Sequence, residues 1–519
     1  MKTFQDFCKG VWDEANKLRE SIDAWDFKNY FLGFMFYKYI SDDFSKWVSD
    51  NEKKCGHLDF DYSKEKDENW NEEDFIVDAV KCKGTYIKPS HLFPRVYENF
   101  KNNYDNLNEE LVQVFDSIAK YSYDGGISKF SGLFGEVDLG SNKLAASIIE
   151  RNRKIIEIME FWQKLNWEGV EGYEGQDKVG DLHEFLLGQF AANAGKSGGE
   201  FYTPSEVSEL MVRLALVQAK DVTKVYDPAC GSGSLLLKFR KVWKKQNPDS
   251  GFSDLEIFGQ EVNNPTYNLC RMNMFLHGVG YNEFDIDCGD TLVNPCHRNQ
   301  KFDVIVSNPP YSITWKGSDD NTLVNDPRFT CAGVLAPKSK ADLAFLMHSL
   351  YHLSEKGIAV FVSFPGVLYR GGAEQKIRQY LVDYNYVDCV INLAENFFYG
   401  TSISTSILIL RKSKTDSKVL FINASEQFEK VKNKNILREE HIAWIVDKYR
   451  NRENVDYVSK LVDNSEIKEQ DYTLSVSTYV EKEDTREKID IDVLNSEIER
   501  IVENTNKLRQ GIKEIIGGL

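Results

Sequence analysis

The sequence predicts an α/β protein with a largely parallel sheet, a helical N-terminal domain and a C-terminal helical segment. From about residue 175 onward, short β-rich apolar runs alternate with helical segments, which favours parallel strands joined by helices on both faces of a sheet. Before that point, and again after about residue 425, apolar residues recur at helical spacing. These changes divide the chain into domains at 1–165, 175–425 and 426–519. The amphipathic helix in the last domain suits packing on its own domain and a partner interface equally well, and we expect this region to bind a partner.

The individual elements follow from the same patterns. Seven strands are predicted, at Val222–Tyr226, Leu255–Gln260, Phe302–Ser307, Ile358–Phe364, Val387–Leu393, Ser406–Leu410 and Val419–Ile422. Helices are predicted at Phe4–Leu18, Tyr30–Trp47, Asn142–Leu165, Ser205–Val217, Leu235–Val242, Pro265–His277, Asp342–Leu353 and Ile489–Ile516. In sheets of this kind, ligands bind beyond the carboxyl ends of the strands.

The bulk composition indicates a soluble protein. The chain has 519 residues, of which 42% are hydrophobic and 28% charged, and its longest apolar runs are far too short to cross a bilayer. Met1–Ala15 lacks the pattern of a secretory leader, so we expect a cytoplasmic protein without a membrane partner. The nine cysteines form no C-x-x-C pair and have no close histidine pair, which predicts reduced, mostly buried thiols, no disulfides and no metal site.

A glycine-rich turn links the first predicted strand to the helix after it. The segment Asp227–Ser234 places Gly231 and Gly233 where a ligand can approach the backbone closely, because glycine has no Cβ. The dinucleotide pattern G-x-G-x-x-G fails at Leu236 and no G-K-[ST] is present, which argues against phosphate binding. An acid at the start of the turn suits a cofactor with a free amino acid moiety and a sulfonium charge. Asp227 can orient that amino group through the turn.

Two further acids follow the next strands. Glu261 ends the second predicted strand, where a carboxylate accepts both ribose hydroxyls in nucleotide folds. Asp290 ends the next unit and can bind the adenine amine of a nucleoside cofactor. The alternative for any one of these acids is a helix N-cap or a solvated turn. Because three acids stand at successive strand ends, the pattern favours a cofactor site.

The strand Phe302–Ser307 delivers the tetrapeptide Asn308-Pro309-Pro310-Tyr311 to the same edge of the sheet. The prolines remove backbone donors and fix φ, so the Asn308 side-chain carbonyl and the Pro309 carbonyl can accept both hydrogens of an amino group. That geometry aims the nitrogen lone pair at a methyl donor, and Tyr311 can stack on the ring that carries the amine. A base inside a duplex must be flipped out to reach such a site.

The tetrapeptide alone leaves the acceptor open. A proline-rich turn without chemistry is the alternative for an isolated Asn-Pro-Pro-Tyr, but here it follows the glycine-rich turn at the spacing of a nucleotide fold. A glutamine side chain or an RNA base fits the same two carbonyls as an adenine amine. A non-catalytic, cofactor-binding scaffold is a third alternative, which predicts a damaged catalytic loop, whereas this loop is intact.

Asp227–Ser234 together with Asn308–Tyr311 resembles the amino-methyltransferases, and more narrowly the methylation (modification) subunits of type I restriction–modification systems. Four further segments resemble that family: Leu32–Ser41, Gly198–Ser205, Val334–Asp342 and Phe397–Ser402. The resemblance extends from the N-terminus to about residue 412. One departure is Ser404, where many members carry Pro or Ala.

The resemblance implies a Rossmann-like S-adenosylmethionine methyltransferase sheet of seven strands with an antiparallel final hairpin. It implies methyl transfer from S-adenosylmethionine to adenine N6 in DNA, with Asn308–Tyr311 as the catalytic loop and Phe397 or Phe398 against the flipped base. It also implies a complex with a DNA-reading specificity subunit and with a restriction (translocase and nuclease) subunit. The cofactor-binding residues that it implies are Glu200, Phe201, Tyr202, Thr203, Pro204, Ser205, Asp227, Ala229, Cys230, Gly231, Ser232, Gly233, Ser234, Glu261 and Asp290.

The net charge of −17, from 64 basic and 81 acidic residues, is unusual for a chain that grips DNA by itself. Either the basic residues cluster on one face, or a partner subunit supplies most of the contact with DNA, or the substrate is not nucleic acid. A recognition domain of its own would need about 100–200 residues, more than remain after residue 425. Sequence recognition by another chain is therefore expected.

Overall fold

The structure is a computed structural model that describes residues 2–20, 22–121, 128–167, 170–171, 177–193, 203–251, 254–398, 403–431, 434–481 and 491–518. The chain forms two compact units, Met1–Val480 and Glu481–Leu519. Among the described helices, none is both long enough and apolar enough to cross a membrane.

The N-terminal part of the first unit is helical, as the sequence predicts. Its helices are α1 (Phe4–Arg19), α2 (Ala24–Lys54), α3 (Glu73–Lys83), α4 (Phe93–Phe100), α5 (Leu107–Ala119), α6 (Ile148–Lys164) and α7 (Lys178–Asn193). Two short strands, β1 (Lys2–Thr3) and β2 (Val170–Glu171), pair in parallel. The apolar face of α2 is fully inside the core, with Phe31, Phe34 and Phe36 buried. Helix α6 begins at Ile148 rather than Asn142, because Ser147 caps it by accepting the N–H of Glu150.

The rest of this unit is built on a mixed sheet. The remaining strands are β3 (Lys224–Asp227), β4 (Glu256–Glu261), β5 (Phe284–Cys288), β6 (Phe302–Ser307), β7 (Leu353–Ser363), β8 (Val387–Leu393), β9 (Ser406–Arg411), β10 (Lys418–Ala424), β11 (Glu429–Val431), β12 (Lys434–Ile436) and β13 (Ser459–Asp463). Nine of them form one sheet in the order β13–β10–β8–β9–β7–β6–β3–β4–β5. Strand β9 is antiparallel to both of its neighbours and β13 is antiparallel to β10, whereas the other pairs are parallel. Strands β11 and β12 form a separate hairpin.

Helices connect these strands and follow them. They are α8 (Ser205–Gln218), α9 (Ser234–Gln246), α10 (Asn264–Leu276), α11 (Asn321–Val324), α12 (Pro327–Thr330), α13 (Asp342–His352), α14 (Ala373–Asp383), α15 (Glu439–Asn451), α16 (Asn464–Glu469), α17 (Val476–Tyr479) and α18 (Ile491–Gly517). The parallel order places the carboxyl ends of β6, β3, β4 and β5 side by side at one edge of the sheet. The glycine-rich turn, the two later acids and the Asn-Pro-Pro-Tyr loop all leave the sheet at that edge.

The predicted α/β class is confirmed, with three corrections in detail. The seven strands implied by the resemblance are β3 to β9, and β10 and β13 extend the sheet to nine. Strand β5 was not predicted because Asp285 and Asp287 interrupt its apolar run at the sheet edge, and β13 lies in a stretch predicted to be helical. The thiols are free but not mostly buried, since five of the nine are exposed: Cys55, Cys82, Cys288, Cys296 and Cys331.

The helical region and the sheet share one continuous hydrophobic core. The main contact is with α10, the helix that follows β4. The ring of Phe130 stacks on that of Phe275 with centroids 4.6 Å apart, and Arg271 donates to the carbonyls of Lys129 (2.9 Å) and Ser131 (2.8 Å). Helix α10 is therefore held from both sides, which fixes the end of β4 where Glu261 stands.

The second unit contains α18, an amphipathic helix of 27 residues. Its apolar residues are exposed, each by at least 44%. Seven of them follow spacings of three and four, interrupted once by Thr505: Ile491, Leu494, Ile498, Ile501, Leu508, Ile512 and Ile515. This heptad spacing is typical of a helix that packs against other helices.

Candidate active site

A cavity of about 310 Å³ opens at the carboxyl ends of β3, β4 and β6. Its volume lies at the lower end of the range typical of small-molecule sites. Many residues predicted from the sequence line it: Thr203, Asp227, Ala229, Cys230, Gly231, Ser232, Ser234, Glu261, Asp290, Asn308 and Pro310. The fold therefore brings the glycine-rich turn, all three acids and the catalytic asparagine to one cavity.

Asp227 shapes the turn from inside. One carboxylate oxygen accepts the N–H of Ala229 (2.9 Å) and the hydroxyl of Ser307 (2.7 Å), and the side chain is only 2% exposed. Burial, with a smaller contribution from the charge of Glu261, raises the pKa of Asp227 to about 7. The carboxyl group thus ties the end of β3 to the end of β6, one residue before Asn308.

The two glycines of the turn have conformations that other residues adopt at a cost. Gly231 has a φ of 54° and Gly233 a φ of 77°, both in the left-handed region. A Cβ on Gly233 would lie 2.7 Å from Cys270 Sγ and 2.7 Å from Met274 Cε. The turn therefore packs tightly on α10 below it, and the backbone of Gly231 borders the cavity above.

The later acids have local partners as well as a place in the cavity wall. Glu261 accepts the N–H of Gly231 (3.1 Å) on one oxygen and that of Asn263 (2.8 Å) on the other, and burial raises its pKa. Asp290 accepts the N–H groups of Leu292 (2.9 Å) and Val293 (3.3 Å) on a single oxygen. Both acids thus form the local turns that the alternative interpretation predicts. They also border the cavity, so the two interpretations are compatible.

The side chain of Asn308 is held at both ends. Its amide Nδ2 donates to the hydroxyl of Thr203 (3.0 Å), and its Oδ1 accepts the hydroxyl of Tyr311 (2.6 Å). Burial raises the pKa of Tyr311, so the phenol stays protonated and acts as the donor. Among the described residues, no group donates to the carbonyl of Pro309. The loop therefore offers one free acceptor and one that an internal hydroxyl occupies.

The chain just after the tetrapeptide folds back on a later segment. Ser312 has a φ of 51°, and its N–H donates to both oxygens of Asp342 at 3.1 Å. Ala341 N–H donates to the carbonyl of Ile313 (2.9 Å), and the indole of Trp315 donates to the carbonyl of Pro337 (3.1 Å). These bonds place the stretch 313–315 on the wall of the cavity.

Several predicted residues lie elsewhere, and three fall outside the described residues. Glu200, Phe201 and Tyr202 belong to the latter group. The carbonyl of Pro204 accepts the N–H groups of Val207 and Ser208, both at 3.0 Å, and Ser205 begins α8. These two residues, with Gly233, Pro309 and Tyr311, are not among those that line the cavity.

The aromatic pair predicted near the base is buried. Phe397 is 1% exposed and Phe398 is 6% exposed. The ring of Phe398 lies edge-on to that of Tyr311, with centroids 6.4 Å apart and an interplanar angle of 82°. Cavity residues that the sequence analysis missed are Pro228, Leu235, Gln260, Val262, Thr291, Leu292, Ile313, Thr314, Trp315 and Phe345. Half of these (Pro228, Leu235, Gln260, Val262 and Thr291) are direct neighbours of predicted residues, and adjacency was the one signal that pointed to them.

Comparisons with known proteins agree in fold and sequence. The family described as N-6 DNA Methylase matches residues 174–488, and the HsdM N-terminal domain matches residues 8–160. The chain is 43% identical to the type I restriction enzyme MpnII methylase subunit of Mycoplasma pneumoniae, over 98% of this chain and 95% of that protein. It is 32% identical to the MjaVII methylase subunit of Methanocaldococcus jannaschii, over 97% of this chain and 82% of that protein.

A solved structure agrees as well. The type I restriction-modification system methyltransferase subunit from Streptococcus thermophilus superposes with a TM-score of 0.80 at 36% identity, covering 92% of this chain and 100% of that one. A second structure, of a type I R-M system assembly, has a TM-score of 0.65 at 18% identity and shares the fold.

Proposed function

Because the chain belongs to the methylation subunits of type I restriction–modification systems, we propose that its cavity binds S-adenosylmethionine and presents the methyl group to a base held by Asn308. The resemblance drawn from the sequence is confirmed. The chain is thus an adenine-specific DNA methyltransferase subunit, which methylates N6. The observation that carries the proposal is that Asn308 and the three acids line one cavity.

The chemistry of the residues around the cavity supports this assignment of S-adenosylmethionine. The glycine-rich turn leaves room beside the backbone for the methionine part, with Asp227 fixing the turn. Glu261 is assigned to the ribose hydroxyls and Asp290 to the adenine amine, and each carboxylate retains lone pairs beyond its local bonds. Carboxylates around the cavity stabilise the positive charge of the cofactor. When bound, S-adenosylmethionine supplies an activated methyl group on its sulfonium sulfur.

The acceptor loop orients the adenine amine. We assign one amine hydrogen to Asn308 Oδ1 and the other to the Pro309 carbonyl, and Thr203 keeps the Asn308 amide from turning over. The hydroxyl of Tyr311 must leave Oδ1 when the amine arrives, and the Tyr311 ring then faces the flipped base. Rate acceleration comes chiefly from proximity and from the aimed lone pair.

We also propose that the C-terminal region, 426–519, joins this chain to its partners, with 1–165 and 175–425 as the helical and catalytic domains. The heptad face of α18 suits packing against helices of the specificity subunit, because its apolar residues are exposed. The restriction subunit would join the same assembly. This assignment places the chain with DNA in the cytoplasm.

Transfer of a labelled methyl group to DNA by the chain and its specificity subunit tests the proposal. Asn308→Ala is expected to reduce the rate at least about 100-fold, because the acceptor that orients the amine is lost. Asn69→Ala, at an exposed asparagine of the helical region, is the matched control and should keep full activity. Mass spectrometry of the product should detect N6-methyladenine. Methyl transfer to a protein glutamine or to RNA in preference to DNA would contradict the proposal, as would full activity of Asn308→Ala.

A further inference from the structure

Arg328 lies in α12, between the acceptor loop and α13, and its side chain is only 4% exposed. Every N–H of its guanidinium group has an acceptor. Nε and Nη2 donate to the carboxylate of Asp326, at 3.1 and 2.7 Å. The other three bonds go to the carbonyl of Thr291 (Nη1, 2.9 Å), the carbonyl of Leu292 (Nη2, 2.7 Å) and Nδ1 of His348 (Nη1, 2.9 Å).

Two of these bonds hold the turn that carries Asp290. Within this turn, Asp290 accepts the N–H groups of Leu292 and Val293. The hydroxyl of Thr291 donates to the carbonyl of Pro228 at 2.6 Å, which anchors the turn to the glycine-rich segment. Arg328 donates to the two carbonyls of this turn, those of Thr291 and Leu292. The N–H groups of the turn, those of Leu292 and Val293, donate to Asp290. The guanidinium group thereby determines where the Asp290 carboxylate stands on the cavity wall.

The bond from Arg328 to His348 extends the network to strand β3. Because Nδ1 of His348 accepts a hydrogen from Arg328, its proton is on Nε2, which donates to the hydroxyl of Tyr226 at 3.1 Å. Burial, together with the nearby charges of His352 and Arg328, holds the pKa of His348 well below its usual range, so the ring stays neutral. Tyr226 immediately precedes Asp227 on β3. A single buried group therefore connects the Asp290 turn to the strand that starts the cofactor turn.

Arg328 also supports a second part of the cavity wall, at Trp315. Its guanidinium carbon lies 4.7 Å from the ring centroid of Phe329, and that ring contacts Trp315 edge-on at 5.4 Å. Trp315 lines the cavity together with Leu292. Arg328 thus contacts the cavity lining at two places, directly at Leu292 and through Phe329 at Trp315.

We infer that Arg328 is a positioning residue for the adenine end of the cofactor site, setting the Asp290 turn against the Trp315 wall. The inference rests on the proposed function, since it assigns the adenine moiety to Asp290. A planar group with five fixed donors makes these bonds, and lysine, with a compact charge and three donors, cannot reproduce them. Arg328 does not touch the reacting methyl group, so its effect is on cofactor binding more than on turnover.

Calorimetric titration of the full chain with S-adenosylhomocysteine, the demethylated product, tests this role. Arg328→Lys is expected to raise the dissociation constant about 10-fold or more, and to lower kcat at saturating S-adenosylmethionine less than about 3-fold. Arg378→Lys is the matched control. Arg378 is likewise buried at 2% exposure and donates to the carbonyls of Tyr472 and Val367, and none of these three residues lines the cavity. Its replacement should leave the dissociation constant unchanged.

An analogue with a changed base makes the test specific to the adenine end. S-inosylhomocysteine carries an oxygen in place of the adenine amine, so the wild-type chain should bind it less tightly than S-adenosylhomocysteine. Arg328→Lys should shrink that preference, because Asp290 is no longer held in place. If Arg328→Lys weakens both ligands equally, the inference is wrong. If Arg328→Lys does not fold, Asp326→Asn, which loosens the guanidinium group but keeps the bonds to both carbonyls, should reduce the same preference.

Cofactor binding by the wild-type chain distinguishes a failure of the proposed function from a failure of the inference about Arg328. A wild-type chain that binds neither S-adenosylhomocysteine nor S-adenosylmethionine would overturn the proposed function and this inference together. A wild-type chain that binds S-adenosylhomocysteine, with Arg328→Lys binding it equally well, would overturn the inference alone.

Discussion

The Tyr311 side chain has two proposed roles, since its ring faces the flipped base and its hydroxyl occupies Asn308 Oδ1. Removing the hydroxyl separates these roles. In the structure this hydroxyl donates to Asn308 Oδ1 at an O–O distance of 2.6 Å. The proposed mechanism gives the same oxygen to the adenine amine, so the hydroxyl and the substrate compete for one acceptor. Tyr311→Phe removes the competitor and keeps the ring that faces the base.

The size of the effect follows from the bond that is lost. A neutral hydrogen bond contributes about 0.5–1.5 kcal/mol, which corresponds to about a 2- to 10-fold change in affinity. Tyr311→Phe should therefore lower KM for DNA by about that factor, with kcat preserved within the same range. Tyr311→Ala loses the stacking surface as well, worth about 1–3 kcal/mol per base. Relative to Tyr311→Phe, its kcat/KM should fall about 5- to 150-fold.

The assay is steady-state methyl transfer by the assembled complex, with duplex DNA that contains the site read by the specificity subunit. A fluorescent purine analogue at the target position should report base flipping independently of chemistry. Tyr384→Phe is the control, since Tyr384 is 63% exposed and should change neither measurement. If Tyr311→Phe loses as much activity as Asn308→Ala, the hydroxyl takes part in the reaction and the competition argument is refuted.

Three further predictions test the cofactor turn and the C-terminal helix. Affinity for S-adenosylmethionine should rise with pH through about 7, by at most about 10-fold per pH unit. The reason is that burial raises the pKa of Asp227 to about 7, and the cationic cofactor favours the ionised carboxylate. Calorimetry in different buffers should detect proton release on binding to the wild-type chain and none with Asp227→Asn. An affinity that does not change with pH would contradict this reasoning. Gly233→Ala should lower the free energy of unfolding by about 1–3 kcal/mol in thermal denaturation, because Gly233 has a positive φ and the added Cβ would lie 2.7 Å from Cys270 Sγ. Gly10→Ala is the control and should cost nothing, since the new methyl group has open space around it. Equal stabilities of the two variants would refute the argument. Placing aspartates at Ile501 and Leu508 of α18 should abolish co-purification with the specificity subunit but leave S-adenosylmethionine binding intact, and retained assembly would exclude this face as the contact.

The site residues whose place in the fold could be predicted from the sequence belong to short, contiguous patterns. The turn Asp227–Ser234 and the tetrapeptide Asn308–Tyr311 each lie between a strand and the segment after it, and their identities alone indicate chemistry. Glu261 and Asp290 were placed by one topological rule, that successive parallel strands end at the same edge. The structure satisfies this rule because β3, β4 and β5 are neighbours in the sheet.

The features that the sequence did not reveal depend on contacts between distant segments. Trp315 reaches the cavity only because the chain around Ser312 is fastened to Asp342, thirty residues later. In the sequence, Arg328 stands in a polar stretch with no recognisable motif, and only the folded chain buries it beside Thr291. The bond between Tyr311 and Asn308 depends on a side-chain rotamer. No periodicity or residue spacing encodes these arrangements, because each one is decided by packing.

The charge of the chain and the chemistry of its cavity point to a division of labour. Three carboxylates, those of Asp227, Glu261 and Asp290, border the cavity, and the chain as a whole carries a net charge of −17. A field of this sign stabilises a sulfonium cofactor and opposes the phosphates of DNA. We therefore propose that most of the grip on DNA comes from a partner subunit. In the proposed assembly, the exposed face of α18 makes that connection.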